Sequence, residues 1–140
     1  STHTVKEVSG ETELEKGLGT FDTPGHTAGH QSVLVETSGG LVCLGGDAIS
    51  DAGALSRGMP AFVFWSVEQA QASLKKISET ADTIYPGHDR PFRIDGENFE
   101  YLTEAPTIKI SGFLDSSRDL VSMELGLPPR FEPRINPDAI

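Results

Sequence analysis

The sequence predicts an α/β chain in which short strands and one helix alternate and a β-hairpin closes the C-terminal part. Three observations support this prediction. Runs rich in β-branched residues are separated by glycine and proline, one segment repeats its apolar residues with a helical period, and apolar residues alternate near the C-terminus. At 140 residues the chain has room for one domain of ordinary size.

The first third of the sequence reads as strands. "TVKEV" at Thr4–Val8 predicts a short edge strand, and "LGTFDT" predicts a strand that ends at Pro24. "QSVLVET" (Gln31–Thr37) and "LVCLGG" (Leu41–Gly46) predict a hairpin, since "SGG" between them supplies a turn. The second of these runs is apolar throughout, which is typical of a strand covered on both faces.

The middle of the chain predicts one helix. Residues 47–62 carry too much glycine, serine and alanine for a regular element. Ser66, followed three residues later by Gln69, is the signature of a helix N-terminus. We therefore expect a helix over about 67–79. Its apolar residues that fall on one face are Val67, Ala70, Leu74 and Ile77.

The last part of the chain predicts a strand, a short helix and a hairpin. "DTIY" is a short strand that "PGHDRP" ends, and residues 97–102 are expected to form a short helix before Pro106. Alternating apolar residues within 107–125 predict a β-hairpin with "DSSRD" as its turn. Residues 127–140 contain four prolines and predict an extended arm.

Composition and charge narrow the function classes. The chain has 11 basic and 21 acidic residues, a formal net charge of −10, so a nucleic-acid partner bound through a broad basic surface is not expected. No apolar run reaches the roughly 20 residues of a membrane span, and no signal peptide is visible. We expect a cytoplasmic protein with no membrane partner. Cys43, the single cysteine, is expected to be a small buried apolar residue.

Three residues of metal-binding type follow apolar strands, each beside a glycine. His26 follows "GTFDTPG", Asp47 follows "LVCLGG", and His88 follows "TIYPG". If the three strands are neighbours that run the same way, the loops at their carboxyl ends meet at one edge of the sheet. Imidazole suits Zn²⁺, Mn²⁺ and Fe²⁺, and a carboxylate can bridge two ions. Each signal alone is modest, because an Asp after two glycines is more often a turn or cap residue.

Taken together, the segments "TPGHTAGHQSVLV", "LVCLGGDAI" and "IYPGHDRPF" resemble, in order and spacing, the last three motifs of the metallo-β-lactamase-fold hydrolases. They are most similar to the N-acyl-homoserine lactonase and glyoxalase II-like branches. The resemblance implies that His26, Asp47 and His88 are metal ligands for one or two ions of Zn²⁺, or of Mn²⁺ or Fe²⁺. His30, four residues after the first ligand, is expected to brace the loop by hydrogen bonds or to support the metal ligands from outside.

The sequence departs from the family in its first half. The family's HxHxDH motif, which supplies further ligands for both ions, has no counterpart here, because the only histidine before His26 is His3. The chain is therefore expected to be the C-terminal half of an αββα sandwich with mixed sheets. We expect one partial domain over 1–140, with a core at 18–93 and a hairpin and arm at 106–140. Metal binding and activity of this chain alone are expected to be weak or absent.

Two functions stay open on the sequence. The first is a metal-dependent hydrolase that uses metal-activated water to cleave an ester, lactone, thioester or phosphoester of a small-molecule substrate. The second is a fragment or degenerate relative that acts as a non-catalytic structural or interaction module. Half of the sandwich would leave one sheet face uncovered, so we expect either a homo-oligomer or pairing with the missing N-terminal half.

Overall fold

The structure is a computed structural model that describes residues 7–96, 98–105, 107–113 and 120–126. In these residues it forms a seven-stranded sheet, a separate two-stranded sheet and three short or medium helices. The elements in chain order are β1 (Thr12–Glu15), β2 (Leu18–Asp22), β3 (Gln31–Thr37), β4 (Gly40–Gly46), a 3-10 helix (Asp47–Ile49), α1 (Gly53–Arg57), α2 (Val67–Thr80), β5 (Thr83–Pro86), β6 (Phe92–Asp95), β7 (Asn98–Tyr101), β8 (Thr107–Phe113) and β9 (Leu120–Gly126).

The large sheet keeps the strands in chain order, β1 to β7. Every neighbouring pair is antiparallel except β4 and β5, which are parallel and are joined through the helices. The crossover is needed because a parallel pair cannot be connected by a tight turn. The sheet is therefore mixed, as expected from the sequence.

The core lies between α2 and one face of the sheet. Cross-strand neighbours Cys43, Ile84 and Phe92 form a fully buried row on β4, β5 and β6. Leu74 and Ile77 of α2 pack into the same cluster. Because side chains alternate between the two faces of a strand, the residues directly before and after Cys43 in β4 lie on the face of the sheet that points away from α2.

The helix α2 begins and packs largely as the sequence predicts. Ser66 is its N-cap, and the Ser66 hydroxyl accepts a hydrogen bond from the Gln69 amide at 3.2 Å. The predicted inward face is confirmed at Ala70, Leu74 and Ile77, but Val67 is 52% exposed. Val67 occupies the first helical position, where the chain is still entering the helix from the surface.

Two other predictions are wrong in the described residues, and one strand was not predicted. Within the short helix expected at 97–102, residues Asn98–Tyr101 form strand β7 instead, because Phe99 and Tyr101 alternate with exposed residues and their rings pack on Phe92. The segment 47–62, expected to have no regular element, contains the 3-10 helix and the short helix α1. The strand β1 was not predicted, since "TELE" has no apolar alternation beyond one leucine.

Other predictions fall partly outside the described residues. Residues 4–6 of the edge strand expected at Thr4–Val8 lie outside the described residues, and Glu7 and Val8 are not in a strand. The hairpin expected within 107–125 is present as β8 and β9, paired from Thr107↔Gly126 to Phe113↔Leu120, whereas its "DSSRD" turn and the arm at 127–140 lie outside the described residues. Among the described residues, no helix has the length and apolar character of a membrane span.

Candidate metal centre

Three predicted ligands meet at one carboxylate. The Nε2 atom of His26 lies 3.4 Å from Oδ2 of Asp47, and the Nε2 atom of His88 lies 2.9 Å from Oδ1 of the same side chain. The exposed fraction of the side chains rises from 16% at His26 through 38% at Asp47 to 66% at His88. The cluster is thus buried on one side and open to solvent on the other.

Strand direction explains why the three residues meet. β2 and β4 are both antiparallel to β3, and β5 is parallel to β4, so β2, β4 and β5 all run the same way. Their carboxyl ends therefore share one edge of the sheet. The three strands thus run the same way, but they are not all immediate neighbours, because β3 lies between β2 and β4.

His26 is held by the segment that precedes α2. Its Nδ1 atom lies 3.0 Å from the carbonyl oxygen of Phe62, and the Phe64 ring packs edge-on against it at 5.1 Å between centroids. A carbonyl oxygen only accepts hydrogen bonds, so His26 carries its hydrogen on Nδ1. The other ring nitrogen, Nε2, then faces a carboxylate oxygen of Asp47, and a cation or a proton between these two atoms would satisfy both.

The loop that carries His26 has little freedom. The Gly25 carbonyl accepts backbone hydrogen bonds from Trp65 and Ser66 at 3.2 Å, and the Pro24 carbonyl accepts one from the Ser73 hydroxyl at 2.6 Å. Gly25 has φ +136°, and a side chain there would meet the backbone of Ala70. The glycine therefore lets the loop lie directly against α2, which fixes the position of His26.

Asp47 sits where β4 turns into the 3-10 helix. Gly46 makes this turn with φ +51°, a conformation that favours glycine. On the other side, a Cβ atom on Gly87 would lie 2.9 Å from Oδ1 of Asp47. Gly46 and Gly87, the glycines beside Asp47 and His88, thus allow the ends of β4 and β5 to close around this carboxylate.

His88 is positioned by its backbone and by its neighbour Asp89. The His88 amide donates to the Ser50 carbonyl at 2.8 Å. Oδ2 of Asp89 accepts from the Ala52 amide at 3.1 Å and from the Tyr101 hydroxyl at 2.7 Å. These bonds tie the loop after β5 to the segment after β4 and to β7, so His88 faces Asp47 from a braced loop.

His30 braces the loop of His26 rather than contacting Asp47 by a hydrogen bond. Its Nδ1 atom lies 2.8 Å from the Thr23 hydroxyl, which lies 2.8 Å from the Ser32 hydroxyl. Its ring packs edge-on to His26 at 6.2 Å. Burial, followed by the neighbouring His26, lowers the pKa of His30 below its ordinary value of 6.5. His30 is therefore neutral at pH 7, as a hydrogen-bonded structural histidine should be.

The sequence reasoning did not single out Thr23 or Ser32. Both are buried polar residues, and Ser32 also donates to the Gly45 carbonyl at 3.3 Å. Their position could have identified them. Thr23 is next to Asp22 and Ser32 is next to Gln31, the last paired residues of β2 and β3 at the base of the loop that carries the histidines. Hydroxyls at the base of a loop that contains histidine are natural partners for its imidazoles.

The donor types fit a divalent metal, but their number is small. Among the residues that the structure describes, no three His, Cys, Asp or Glu side chains are arranged to hold one ion. The geometry accounts for this, because the two imidazoles approach different oxygens of Asp47. Each of two ions could take one histidine and a shared carboxylate, whereas a catalytic zinc ordinarily has three protein ligands.

Comparisons with known proteins point to one group of enzymes. N-acyl homoserine lactonases from a Bacillus species and from Bacillus cereus are each 35% identical to this chain over 89 residues, which are 60% of this chain and 35% of each relative. No family model matches the chain. The chain therefore spans about a third of the length of the curated relatives that it matches.

Solved structures give the same result. A Bacillus thuringiensis AiiA variant with N-decanoyl-L-homoserine bound at its active site matches with a TM-score of 0.52 and 32% identity, over 60% of this chain and 35% of that one. An N-acyl homoserine lactone hydrolase with N-hexanoyl-L-homoserine bound at its catalytic metal centre matches with the same scores and coverage. The resemblance predicted from the three motifs is confirmed for this part of the chain.

Proposed function

We propose that this chain, which resembles the N-acyl homoserine lactonase branch of the metallo-β-lactamase-fold hydrolases over 60% of its length, is part of a metal-dependent hydrolase. His26, Asp47 and His88 are its metal ligands in this proposal, and Zn²⁺, Mn²⁺ or Fe²⁺ is the metal. The substrate is a small molecule with a lactone or another ester-type bond. The chain forms one partial domain.

The observation that carries the proposal is the meeting of both imidazoles at Asp47. Residues far apart in the sequence place Nε2 of His26 at 3.4 Å and Nε2 of His88 at 2.9 Å from opposite oxygens of one carboxylate. The Phe62 carbonyl fixes the hydrogen of His26 on Nδ1, which leaves Nε2 free to ligate. A backbone carbonyl in this outer position is the usual partner of a metal-bound histidine.

The chain's own residues would have defined parts in the reaction. His26, Asp47 and His88 would hold the metal, with Asp47 as the carboxylate that faces both imidazoles, and the braced loops would keep the three donors in place. When bound, the metal polarises the scissile carbonyl and lowers the pKa of water. The exposed side of the cluster, at His88, is where a substrate can approach.

Two ligands per ion do not make a complete catalytic site, so the proposal includes a source for the others. We propose that they come from a segment equivalent to the HxHxDH region of the family, which these 140 residues do not contain. Such a segment would have to lie beside the open edge of the sheet at His88. A chain tested without it should bind metal weakly and show little hydrolysis.

The exposed face of the sheet supports pairing. The expectation that β4 is covered on both faces is wrong for the described residues: Cys43 is buried, but Leu44 is 44% exposed and its cross-strand neighbour Tyr85 is 46% exposed. Exposed apolar surface on a sheet face commonly marks an interface. We propose that this face is covered either by the family's other half or by a second copy.

Metal content tests the ligand assignment. The wild-type chain, dialysed to equilibrium against a buffer that contains Zn²⁺ at high concentration, should hold zinc in excess of the buffer by elemental analysis, as expected of a weak site. His26→Ala, Asp47→Ala and His88→Ala should each lose it, since every one removes a donor from the cluster. His30→Ala is the matched control, because it should loosen the loop without removing a ligand. Unchanged zinc in all three ligand variants would overturn the assignment.

Light scattering tests the covered face. A dimer or larger assembly is expected for the wild-type chain, and Leu44→Glu should shift it towards monomer. The matched control is Val67→Glu, at a position that is 52% exposed on α2 rather than on the sheet. A wild-type chain that is monomeric at every concentration would contradict self-pairing.

The second candidate, a non-catalytic module, rests on a specific observation as well. Nε2 of His88 and Oδ1 of Asp47 already lie 2.9 Å apart, within hydrogen-bond distance. No group of three metal donors exists among the described residues. For a module of this kind the cluster would act as a hydrogen-bonded brace. Absence of zinc from the wild-type chain, together with a loss of stability in Asp47→Ala, would favour this function over the hydrolase.

A further inference from the structure

A groove lies beside the C-terminal half of α2, on the other side of the sheet edge from the candidate metal centre. Its volume is about 500 Å³. Leu18 and Leu41, two of the residues that line it, lie at the amino ends of β2 and β4, whereas the centre lies at the carboxyl ends of the same strands. The groove is therefore a separate surface from the one at which metal and substrate are proposed to bind.

The groove exists because α2 covers only part of the sheet face on which it packs. One cross-strand row on this face runs from Cys43 through Leu34 and Gly19 to Glu13. Cys43 is fully buried and Leu34 is partly buried, whereas Gly19 contributes no side chain and Glu13 is exposed. A sheet face is ordinarily buried under a layer of helices. The uncovered part of the face, beside α2, is thus where one more helix would pack.

Apolar side chains form the floor of the groove. They belong to Leu18, Phe21, Leu34 and Leu41. At about 30 Å³ for each group of water or methylene size, the groove holds about 16 such groups, which corresponds to about four leucine side chains. An amphipathic helix presents apolar side chains at positions i, i+3, i+4 and i+7 of one face. The space therefore matches the apolar face of a single helix.

Acidic side chains border the groove. Glu11 pairs with Lys76 at 2.7 Å, and the Lys76 ammonium also lies 4.9 Å from the centre of the Phe21 ring. Glu13 and Glu36 line the groove as well, and within the part of the chain that the structure describes their carboxylates take part in no ion pair. A partner that carries lysine or arginine beside its apolar face would supply the missing cations.

We propose that this groove is a docking site for a basic amphipathic helix of a partner protein. The apolar side chains of that helix lie on Leu34 and Leu41 and fill the space above Gly19. Its basic side chains pair with Glu13 and Glu36. This site does not depend on metal binding, so it applies to a hydrolase and to a non-catalytic module alike.

Charge and position disfavour other occupants. A second copy would bring a chain of net charge −10 to a border with two unpaired carboxylates. The arm at 127–140 contains two arginines but also two acidic residues, so its side chains carry no net charge. A partner that covers the sheet face at Leu44 leaves the groove open, because that face points away from α2.

Titration of a designed peptide into the full chain tests the site. The probe is a peptide of about 18 residues, long enough to form a helix in water, with leucines at i, i+3, i+4 and i+7 and lysines on both sides of them. Amide chemical shifts in NMR spectra of the isotope-labelled chain report binding. We expect saturable binding with a Kd below about 1 mM, and the largest shift changes at Glu13, Gly19 and Leu34.

Two control peptides separate the apolar contribution from the charged one. A peptide of the same composition, with its leucines spread around the helix, should bind at least about tenfold more weakly. Replacement of the leucines by alanine should weaken binding to a similar extent, since it removes the apolar surface that the floor buries. Raising the salt concentration from about 50 mM to about 500 mM should weaken the probe several-fold, because exposed ion pairs are screened.

Charge reversal on the chain tests the border. Glu13→Lys combined with Glu36→Lys should weaken binding of the probe at least about tenfold, since both ion pairs become repulsive. Asp95→Lys combined with Glu100→Lys is the matched control. It makes the same change in net charge at exposed positions of β6 and β7, at the other edge of the sheet, and should weaken binding less than about twofold. All four positions are exposed, so both variants should fold.

Several results would overturn the docking site. Equal losses in the two charge-reversal variants, or equal binding of the probe and either control peptide, would show general attraction to an acidic chain. Shift changes centred on Leu44 and Tyr85 would place the helix on the wrong face, and no binding up to about 1 mM would leave no site. Groove shifts that depend on chain concentration without peptide would assign the groove to a second copy, and groove shifts that change when residues 127–140 are removed would assign it to the arm.

Discussion

Replacing Gly25 by alanine should unfold or distort the loop that carries His26. Gly25 has φ +136°, which side chains of L-residues rarely adopt, and the new Cβ would lie 2.3 Å from both the Cα and the N of Ala70. Those atoms belong to the backbone of α2 and cannot rotate away. The loop or the helix must therefore move.

The size of the effect follows from two terms. A residue held in a disfavoured backbone region costs about 1–3 kcal/mol. Overpacking a close contact adds about 1–3 kcal/mol. Together they lower the free energy of unfolding by about 2–6 kcal/mol, a large part of the 5–15 kcal/mol typical of a domain.

Urea denaturation followed by circular dichroism measures the change. The midpoint for Gly25→Ala should fall by about 1 M or more, given usual denaturant slopes. Gly29→Ala is the matched control in the same loop, because a Cβ there meets no atom within 4 Å. Equal midpoints for the two variants would refute the close approach of the loop to α2, and with it the explanation of how His26 is fixed.

Three further predictions concern the core and the brace around the centre. Ile77→Ala should lower the free energy of unfolding by about 2–5 kcal/mol because Ile77 is fully buried, whereas Val67→Ala on the same helix should cost little; equal urea midpoints would contradict the packing of α2. Burial raises the pKa of the Cys43 thiol from 9.0 to about 12. The buried neutral thiol therefore stabilises the fold below pH 9, and this stabilisation is lost as the pH rises towards 12. Cys43→Ala should remove that loss of stability at high pH, and iodoacetamide should label wild-type Cys43 only after unfolding. Tyr101→Phe removes a hydrogen bond to Asp89 and should cost about 1–2 kcal/mol by the same denaturation assay; an unchanged midpoint would show that the loop of His88 does not depend on it.

Much of the fold follows from local pattern. The hairpin of β3 and β4, the helix from Ser66 onwards and the pairing of β8 with β9 all lie where residue type and period predicted them. These elements are set by interactions between residues close in sequence, which the pattern records directly. The position of three candidate ligands at strand ends follows from the same reading.

Local pattern failed where distant contacts decided the structure. Residues 98–101 form a strand because Phe99 and Tyr101 pack on Phe92 of the neighbouring strand, and four residues are too few for a period to show this. α1 forms within a glycine- and serine-rich segment, where its last residue, Arg57, pairs with the buried Asp51 at 2.8 Å. The exposure of Leu44 likewise depends on what lies across the sheet rather than on "LVCLGG" itself.

The amino-acid sequence by itself determined the β3–β4 hairpin, the helix α2 and the β8–β9 pair, the identity of His26, Asp47 and His88 as residues suited to a metal, and the resemblance to lactonases. Only the tertiary structure decided that both imidazoles approach opposite oxygens of one carboxylate, that the Phe62 carbonyl sets the tautomer of His26, and that a groove lies beside α2. Residue chemistry is carried by each position separately. Distances between strand ends depend on the order and direction of all the strands between them.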